Sequence, residues 1–194
     1  SILMSKSNEG KTMFLCNIIK QYQNDYNGKV YTFGLGELSS KLKTKPFNSI
    51  LELEQIKNSI IIIDEIGRLF DLGNRKLRRQ IEEVFRLVNH NGNKILASGL
   101  CSDFKKFLCA KAGCFLFKSL HLSDLINGSL AKEILLQYSG EGKGIYSFNI
   151  DKEKVLVYDG EYYTESFDLI KEFDTKKENL DLFKKSAGKC AGKV

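Results

Sequence analysis

The sequence predicts an α/β fold of three layers around a mainly parallel central sheet, and three observations carry that prediction. The apolar run Ile2-Leu3-Met4 enters the polar loop SKSNEGKT (residues 5–12) and leaves into Met13-Phe14-Leu15-Cys16-Asn17-Ile18-Ile19, which reads as strand, tight loop and amphipathic helix. SIIIIDE (59–65) places four consecutive β-branched residues before paired acids, the sequence of a strand buried on both faces. Helical and extended apolar patterns then alternate as far as Tyr158, as βα units require.

The loop has the layout of a phosphate-binding (Walker A) loop. Backbone N–H groups have to curl around an anion and feed a helix whose positive end faces it, so a residue without a side chain belongs just before the lysine. Gly10 fills that place. Ser5, Lys6, Ser7, Asn8, Glu9, Gly10, Lys11 and Thr12 are therefore the expected phosphate cradle, with Lys11 reaching the terminal phosphates and the Thr12 hydroxyl ligating Mg²⁺. The pattern GxxxxGK[ST] has Gly where this chain has Ser5. The acids at the end of the isoleucine run project into the crevice where α/β sheets bind ligands. Asp64 is the expected second Mg²⁺ residue (Walker B), and Glu65 the base for an attacking water.

The remaining elements follow in order. A helix is expected from Lys11 to about Tyr22, then a strand from Val30 to Leu35 ending in Gly34 and Gly36. Residues 37–45 read as a loop or short helix in which Lys41, Lys43 and Lys45 are either solvated or in contact with nucleic acid. A short helix at Leu51 to Lys57 precedes the isoleucine strand. In Arg75 to Asn89, Leu77, Ile81, Val84, Phe85 and Val88 recur at helical spacing, and the Asn-rich cluster 89–93 stops that helix before a strand, Lys94 to Ser98. A short helix (104–111), a buried strand (114–120) and an interrupted helix (122–138) come next. Gly144 to Ile150 and Lys154 to Tyr158 alternate about Asp151-Lys152, so they are expected to form a C-terminal β-hairpin. The core should span 1–160, followed by a charged helical segment packed on it (161–185, apolar at Phe167, Ile170, Phe173, Leu180 and Phe183) and a flexible tail (186–194).

Composition bounds the rest. At 194 residues, 42% hydrophobic and 28% charged, the chain is one globular domain with no apolar run long enough to span a bilayer. A net charge of +6 is compatible with nucleic acid. Five cysteines (Cys16, Cys101, Cys109, Cys114, Cys190) without a CxxC pair read as reduced thiols of a cytoplasmic protein, in the host cytoplasm if the chain is viral. Neither histidine, His90 or His121, has a partner at metal-ligand spacing. Ser1 in place of Met suggests a processed or trimmed start, and no signal peptide is expected.

On SKSNEGKT, IIIIDE and the weaker LVNHNGNKILASG, the chain from Ile2 to Tyr158 resembles the additional-strand P-loop ATPases, and within them the HerA/FtsK group that includes viral genome-packaging ATPases. The resemblance implies a RecA/FtsK-like three-layer fold and ATP and Mg²⁺ as cofactors. It also implies a ring, commonly a hexamer, that moves double-stranded DNA, with a portal, capsid or membrane protein as a further partner. It implies an arginine from the neighbouring subunit. Arg68, Arg75, Arg78, Arg79 and Arg86 follow the acids; Arg79 and Arg86, seven apart on one helical face, are the first choices, against ordinary surface pairing with Glu82 or Glu83. The family's polar sensor, usually Gln, is replaced here by Gly99-Leu100, leaving Ser98 to reach the γ-phosphate or its water.

Two other function classes fit parts of the sequence. A small-molecule or nucleotide kinase would need an arginine-rich lid, and no arginine follows Leu100. A nucleotide-gated adaptor with weak hydrolysis would accommodate Ser5 and the absent Gln.

Overall fold

Four isoleucines in a row can be buried only if both sides of their strand are covered, and the chain arranges its helices to do so. The structure, a computed structural model, describes residues 1–26, 28–70, 75–104, 106–126, 130–139, 148–150, 154–160 and 163–165. In chain order the elements are β1 (Ile2–Met4), α1 (Lys11–Tyr26), β2 (Val30–Phe33), α2 (Glu37–Lys41), β3 (Lys45–Pro46), β4 (Ile60–Ile63), α3 (Gly67–Phe70), α4 (Arg75–His90) and β5 (Lys94–Gly99). They continue with α5 (Lys106–Cys109), β6 (Phe115–Phe117), α6 (Leu122–Ile126), α7 (Leu130–Ser139), β7 (Leu156–Tyr158) and β8 (Tyr163–Glu165); 3-10 turns lie at Ile50–Gln55 and Cys101–Asp103.

The strands form one sheet in the order β3-β2-β4-β5-β1-β6-β7-β8. Pairing is parallel from β3 to β6 and antiparallel from β6 through β8. The register of the central strands decides where chemistry can gather. Phe33 stands opposite Ile63, Ile63 opposite Ala97, Met4 opposite Gly99, and Met4 opposite Phe117, so these strands end together on one edge.

Alternation along each strand divides the core into two layers. Ile61 and Ile63 join Met4, Ala97 and Phe117 under Ile81, Val84, Phe85 and Val88 of α4. Ile62 joins Leu3 and Leu116 under Phe14, Leu15 and Ile19 of α1. Burying each isoleucine contributes roughly 1.5–3 kcal/mol, and this run contributes on both faces. The other end of the sheet is tied by a buried asparagine. The Asn93 amide accepts from Ser59 N–H (3.0 Å) and donates to the Ile56 carbonyl (2.6 Å), so the Asn-rich turn sits at the opposite edge from the acids.

The expected elements are present with several differences, among them a short helix at Gly67–Phe70 that the sequence did not suggest and a 3-10 turn at Ile50–Gln55 in place of the helix expected at Leu51 to Lys57. Residues 45–46 add an edge strand. Strand β6 is shorter than expected, with Leu120 bridging separately to Phe148. The C-terminal strand pair has other members: β7 pairs with β6 on one side and with β8 on the other, while Phe148 and Ile150 attach to the segment after β6. The physical reason is that a period-2 pattern identifies strands but not their partners. Residues 144–147 and the 151–152 turn lie outside the described residues. So do the interruption at 127–128, the tail 186–194 and, beyond β8, the expected helical segment. No helix of the described residues is long and apolar enough to cross a membrane.

Candidate functional site

The loop between β1 and α1 is built to hold an anion. Its entrance is pinned on both sides, Ser5 N–H to the Gly99 carbonyl at the end of β5 at 3.2 Å and Lys6 N–H to the Ser119 carbonyl just after β6 at 2.8 Å. Asn8 (φ 62°) and Gly10 (φ 78°) take left-handed conformations before α1 begins, the kind of backbone that lets successive N–H groups converge on an anion. Gly10 is where an L side chain would be strained. Ser5, by contrast, is not among the residues of positive φ, so its Cβ is no obstacle to the turn; it is fully buried and its hydroxyl donates to the Lys6 carbonyl at 2.9 Å. Lys11 Nζ donates to the same carbonyl at 3.0 Å. Burial pushes the Lys11 pKa down, and the nearby carboxylates of Asp64, Glu65, Asp103 and Glu9 oppose that shift. At the rim Lys6 lies between Glu9 (3.7 Å) and the Asn149 side-chain oxygen (3.4 Å), and Ser7 and Asn8 face solvent.

The acids meet this loop from β4. Asp64 is buried and accepts two hydroxyl hydrogen bonds, from Thr12 at 2.7 Å and from Ser98 at 2.6 Å. The Ser98 hydroxyl in turn accepts from Glu65 N–H at 3.3 Å. Three strands thus contribute to one chain of contacts: Thr12 after β1, Asp64 and Glu65 after β4, Ser98 within β5. Glu65 itself is exposed, has φ 54°, and lies 3.7 Å from Arg68. A non-glycine residue in that conformation costs of order 1–3 kcal/mol, which surrounding contacts must hold in place. Beside it, Gly34 (φ 83°) leaves the space that Asp64 needs; a Cβ there would lie 2.4 Å from the Asp64 carbonyl oxygen.

The structure brings together Ser5 through Thr12, Asp64, Glu65 and Ser98. It does not bring Arg79 and Arg86 to them. Both are exposed on α4, and Arg86 pairs with Glu83 at 3.1 Å. Sequence reasoning missed Asp103, whose carboxylate accepts from Leu100 N–H at 2.8 Å. It fills a slot left by two glycines, since a Cβ on Gly67 or Gly99 would lie 2.7 or 3.0 Å from it. Also missed was the clip beside the loop, in which Ser119 Oγ exchanges hydrogen bonds with the backbone of Ile150, both at 3.0 Å. Lys118, next to it, is fully buried, donates to the Lys154 carbonyl at 2.8 Å, and has its pKa pushed down to about 8 by burial, with Glu9 opposing.

These residues fit a magnesium nucleotide. The left-handed turns and the start of α1 suit phosphate oxygens, and a hydroxyl with a carboxylate 2.7 Å away is the hard-oxygen donor pair that Mg²⁺ takes alongside water and phosphate. Strand β5 lies between β1, which bears the loop, and β4, which bears the acids. That strand order, with the paired acids at the end of the neighbouring strand, is the one that the resemblance to additional-strand P-loop ATPases implies. Among solved structures, the genome packaging NTPase B204 of Sulfolobus turreted icosahedral virus 2 in complex with AMPPCP is similar over 87% of this chain and 97% of its own, at TM-score 0.64 and 12% identity. The type VII secretion ATPase EccC of Thermomonospora curvata matches 84% of this chain with 23% of its own length, at TM-score 0.57 and 9% identity. EssC of Geobacillus thermodenitrificans matches 92% of this chain with 42% of its own, at TM-score 0.55 and 11% identity. The likeness is one of fold; the first is a genome packaging NTPase, the second a type VII secretion ATPase and the third ATPases 2 and 3 of EssC. No protein-family model matches the sequence, nor does any curated protein.

Proposed function

We propose that this protein is an ATP-hydrolysing nucleic-acid motor, a double-stranded DNA translocating or genome-packaging ATPase that acts as a ring. The observation that carries the reading is the contact chain Thr12–Asp64–Ser98–Glu65, which sets a metal-binding pair beside a second acid. A kinase uses the first acid but gains little from a second one placed to activate water.

In this reading Thr12 and Asp64 would hold Mg²⁺, which would supply charge neutralisation to the phosphates. Lys11 leaves the Lys6 carbonyl for the terminal phosphates, and the loop N–H groups take the oxygens between. Glu65 orients the attacking water and accepts its proton. Ser98 acts through the acids: its hydroxyl fixes the Asp64 carboxylate and the Glu65 backbone together. Arg79 or Arg86, exposed on α4, is supplied to a neighbouring subunit's site, where it stabilises charge on the transferred phosphoryl group. Similarity of fold to a packaging NTPase and to secretion ATPases supports the motor class.

The test is release of free phosphate from ATP by the purified protein and by Lys11→Ala, with and without a nucleoside or sugar acceptor. The reading predicts free phosphate from the wild type and none above background from the variant. Normal hydrolysis by Lys11→Ala would overturn the loop assignment. Phosphate transferred to the acceptor, with none released, would make the protein a kinase, and ATP binding without turnover in any condition would make it an adaptor.

A further inference from the structure

Helix α2 ends in an unusual way. Lys43 N–H bonds the Ser40 carbonyl at 3.1 Å and Thr44 N–H the Ser39 carbonyl at 2.9 Å, the paired bonds of a helix terminus that turns through a left-handed residue. Where a helix ends in such a left-handed residue it is usually glycine, yet here it is Lys43 at φ 53°. The backbone alone would favour glycine, so the outlier points to a use for the side chain.

From Lys41 to Lys45 exposure alternates strictly. Lys41, Lys43 and Lys45 face solvent, while Leu42 and Thr44 are buried. The inward positions are fastened. Thr32 Oγ1 lies 2.8 Å from Ser39 Oγ and 2.9 Å from Thr44 Oγ1, and Gln23 Nε2 donates to the Leu42 carbonyl at 2.9 Å. Lys45 is further steadied over the Tyr31 ring, 5.8 Å from its centroid. Between residues 27 and 51 the sequence has a single carboxylate, Glu37. The next acid along, Glu52, is turned to the N–H groups of Asn48 and Ser49 at 3.0 and 2.9 Å.

We propose that Lys41, Lys43 and Lys45 form a pre-organised ridge that contacts the phosphate backbone of duplex DNA. The proposal rests on the motor reading above and names the surface through which the motor meets its track. Charge complementarity selects a polyanion, and the fixed backbone lowers the ordering cost that lysines on a loose loop would bear on binding. Lysines also guard exposed sheet edges against pairing with other chains. That role accounts for Lys45 on the edge strand β3 but not for a lysine in a left-handed turn before the strand begins. Strand β2 carries Thr32, which holds Thr44, and leads into Gly34, which packs against the Asp64 carbonyl, so the ridge and the buried acid are braced by the same strand and the turn that follows it.

The experiment measures binding of the full chain to a duplex of about 30 base pairs by fluorescence anisotropy between 50 and 200 mM salt. It compares wild type, Lys43→Gly and Lys41→Glu/Lys43→Glu/Lys45→Glu, with thermal melting alongside. Each lost phosphate contact flattens the plot of log K against log salt by about 0.9. Lys43→Gly is expected to melt at or above the wild-type temperature, since glycine suits the turn, while its affinity drops several-fold and its slope flattens by about one. The triple variant is expected to stay monodisperse, because glutamates still charge the edge, and to lose at least about 100-fold in affinity. Wild-type affinity and slope in both variants would overturn the ridge and leave the motor reading intact. A wild type that binds no duplex at any salt would overturn both.

Discussion

Ser98→Ala is the most informative single substitution in the site. The side chain is fully buried, so its loss cannot be made good by water. Two bonds go with the oxygen: the 2.6 Å donation to a buried carboxylate and the 3.3 Å acceptance from Glu65 N–H. A hydrogen bond to a charged group contributes about 1.5–3 kcal/mol, whereas the second bond is long and weak. The void left is one oxygen atom in size and adds little. The expected loss is therefore about 2 kcal/mol, or a melting temperature lower by about 4–8 °C for a domain of this length. Ser59→Ala is the control. It removes a bond to a neutral carbonyl (Lys57, 2.8 Å) at the far edge of the sheet and should cost about half as much, with turnover unchanged.

The kinetic consequence of Ser98→Ala follows from the same bonds. Freeing the Asp64 carboxylate and the strained Glu65 backbone misplaces both acids without touching the phosphate loop. At 1.4 kcal/mol per factor of ten, kcat for ATP should fall about 10–100-fold while KM stays within about threefold. Thermal melting and steady-state phosphate release on the two variants decide it. Wild-type melting temperature and kcat in Ser98→Ala would refute the contact chain as the organiser of the site.

Other outcomes follow from the same geometry. Glu65→Gln should bind ATP but hydrolyse it at least about 100-fold more slowly, seen as nucleotide retained on the protein after gel filtration; unchanged turnover would remove Glu65 as base. Lys118 should make stability depend on alkaline pH. Its folded pKa of about 8 lies below the ordinary lysine value of 10.5, so the unfolded chain holds the extra proton between those values and the wild type gains stability as pH rises from about 8 to 10.5. The gain relative to Lys118→Met should reach up to about 3 kcal/mol in denaturant titrations, and a difference independent of pH would show that the ammonium is not held at a cost.

How much of this was legible in the sequence depends on whether the signal is local. Gly10-Lys11-Thr12 and Ile60 to Glu65 carry their chemistry within a few residues, and the helix over 75–90 carries its apolar period, so these emerged in place. Strand β3 has two residues, one of them proline, and no pattern can show in so short a stretch. The C-terminal hairpin is present, but the sequence does not fix which strand β7 pairs with, because Gly144 to Ile150 and Tyr163 to Glu165 offer equivalent extended candidates and pairing is a tertiary choice. Asp103 looked like any acid in a polar turn. What sets it apart is the space left by Gly67 and Gly99, the one 36 residues earlier in the chain and the other beside it, and that appears only when the strands are assembled. Ser98 was expected to face phosphate; the structure shows it bonded to Asp64 and Glu65, a partnership across 34 residues that strand order creates.

The central claim is tested most directly by ATP hydrolysis with and without double-stranded DNA, over a range of protein concentrations. A ring motor whose sites are completed by a neighbour's arginine should turn over faster with DNA and more than linearly with protein. Turnover strictly proportional to protein and indifferent to DNA would contradict it.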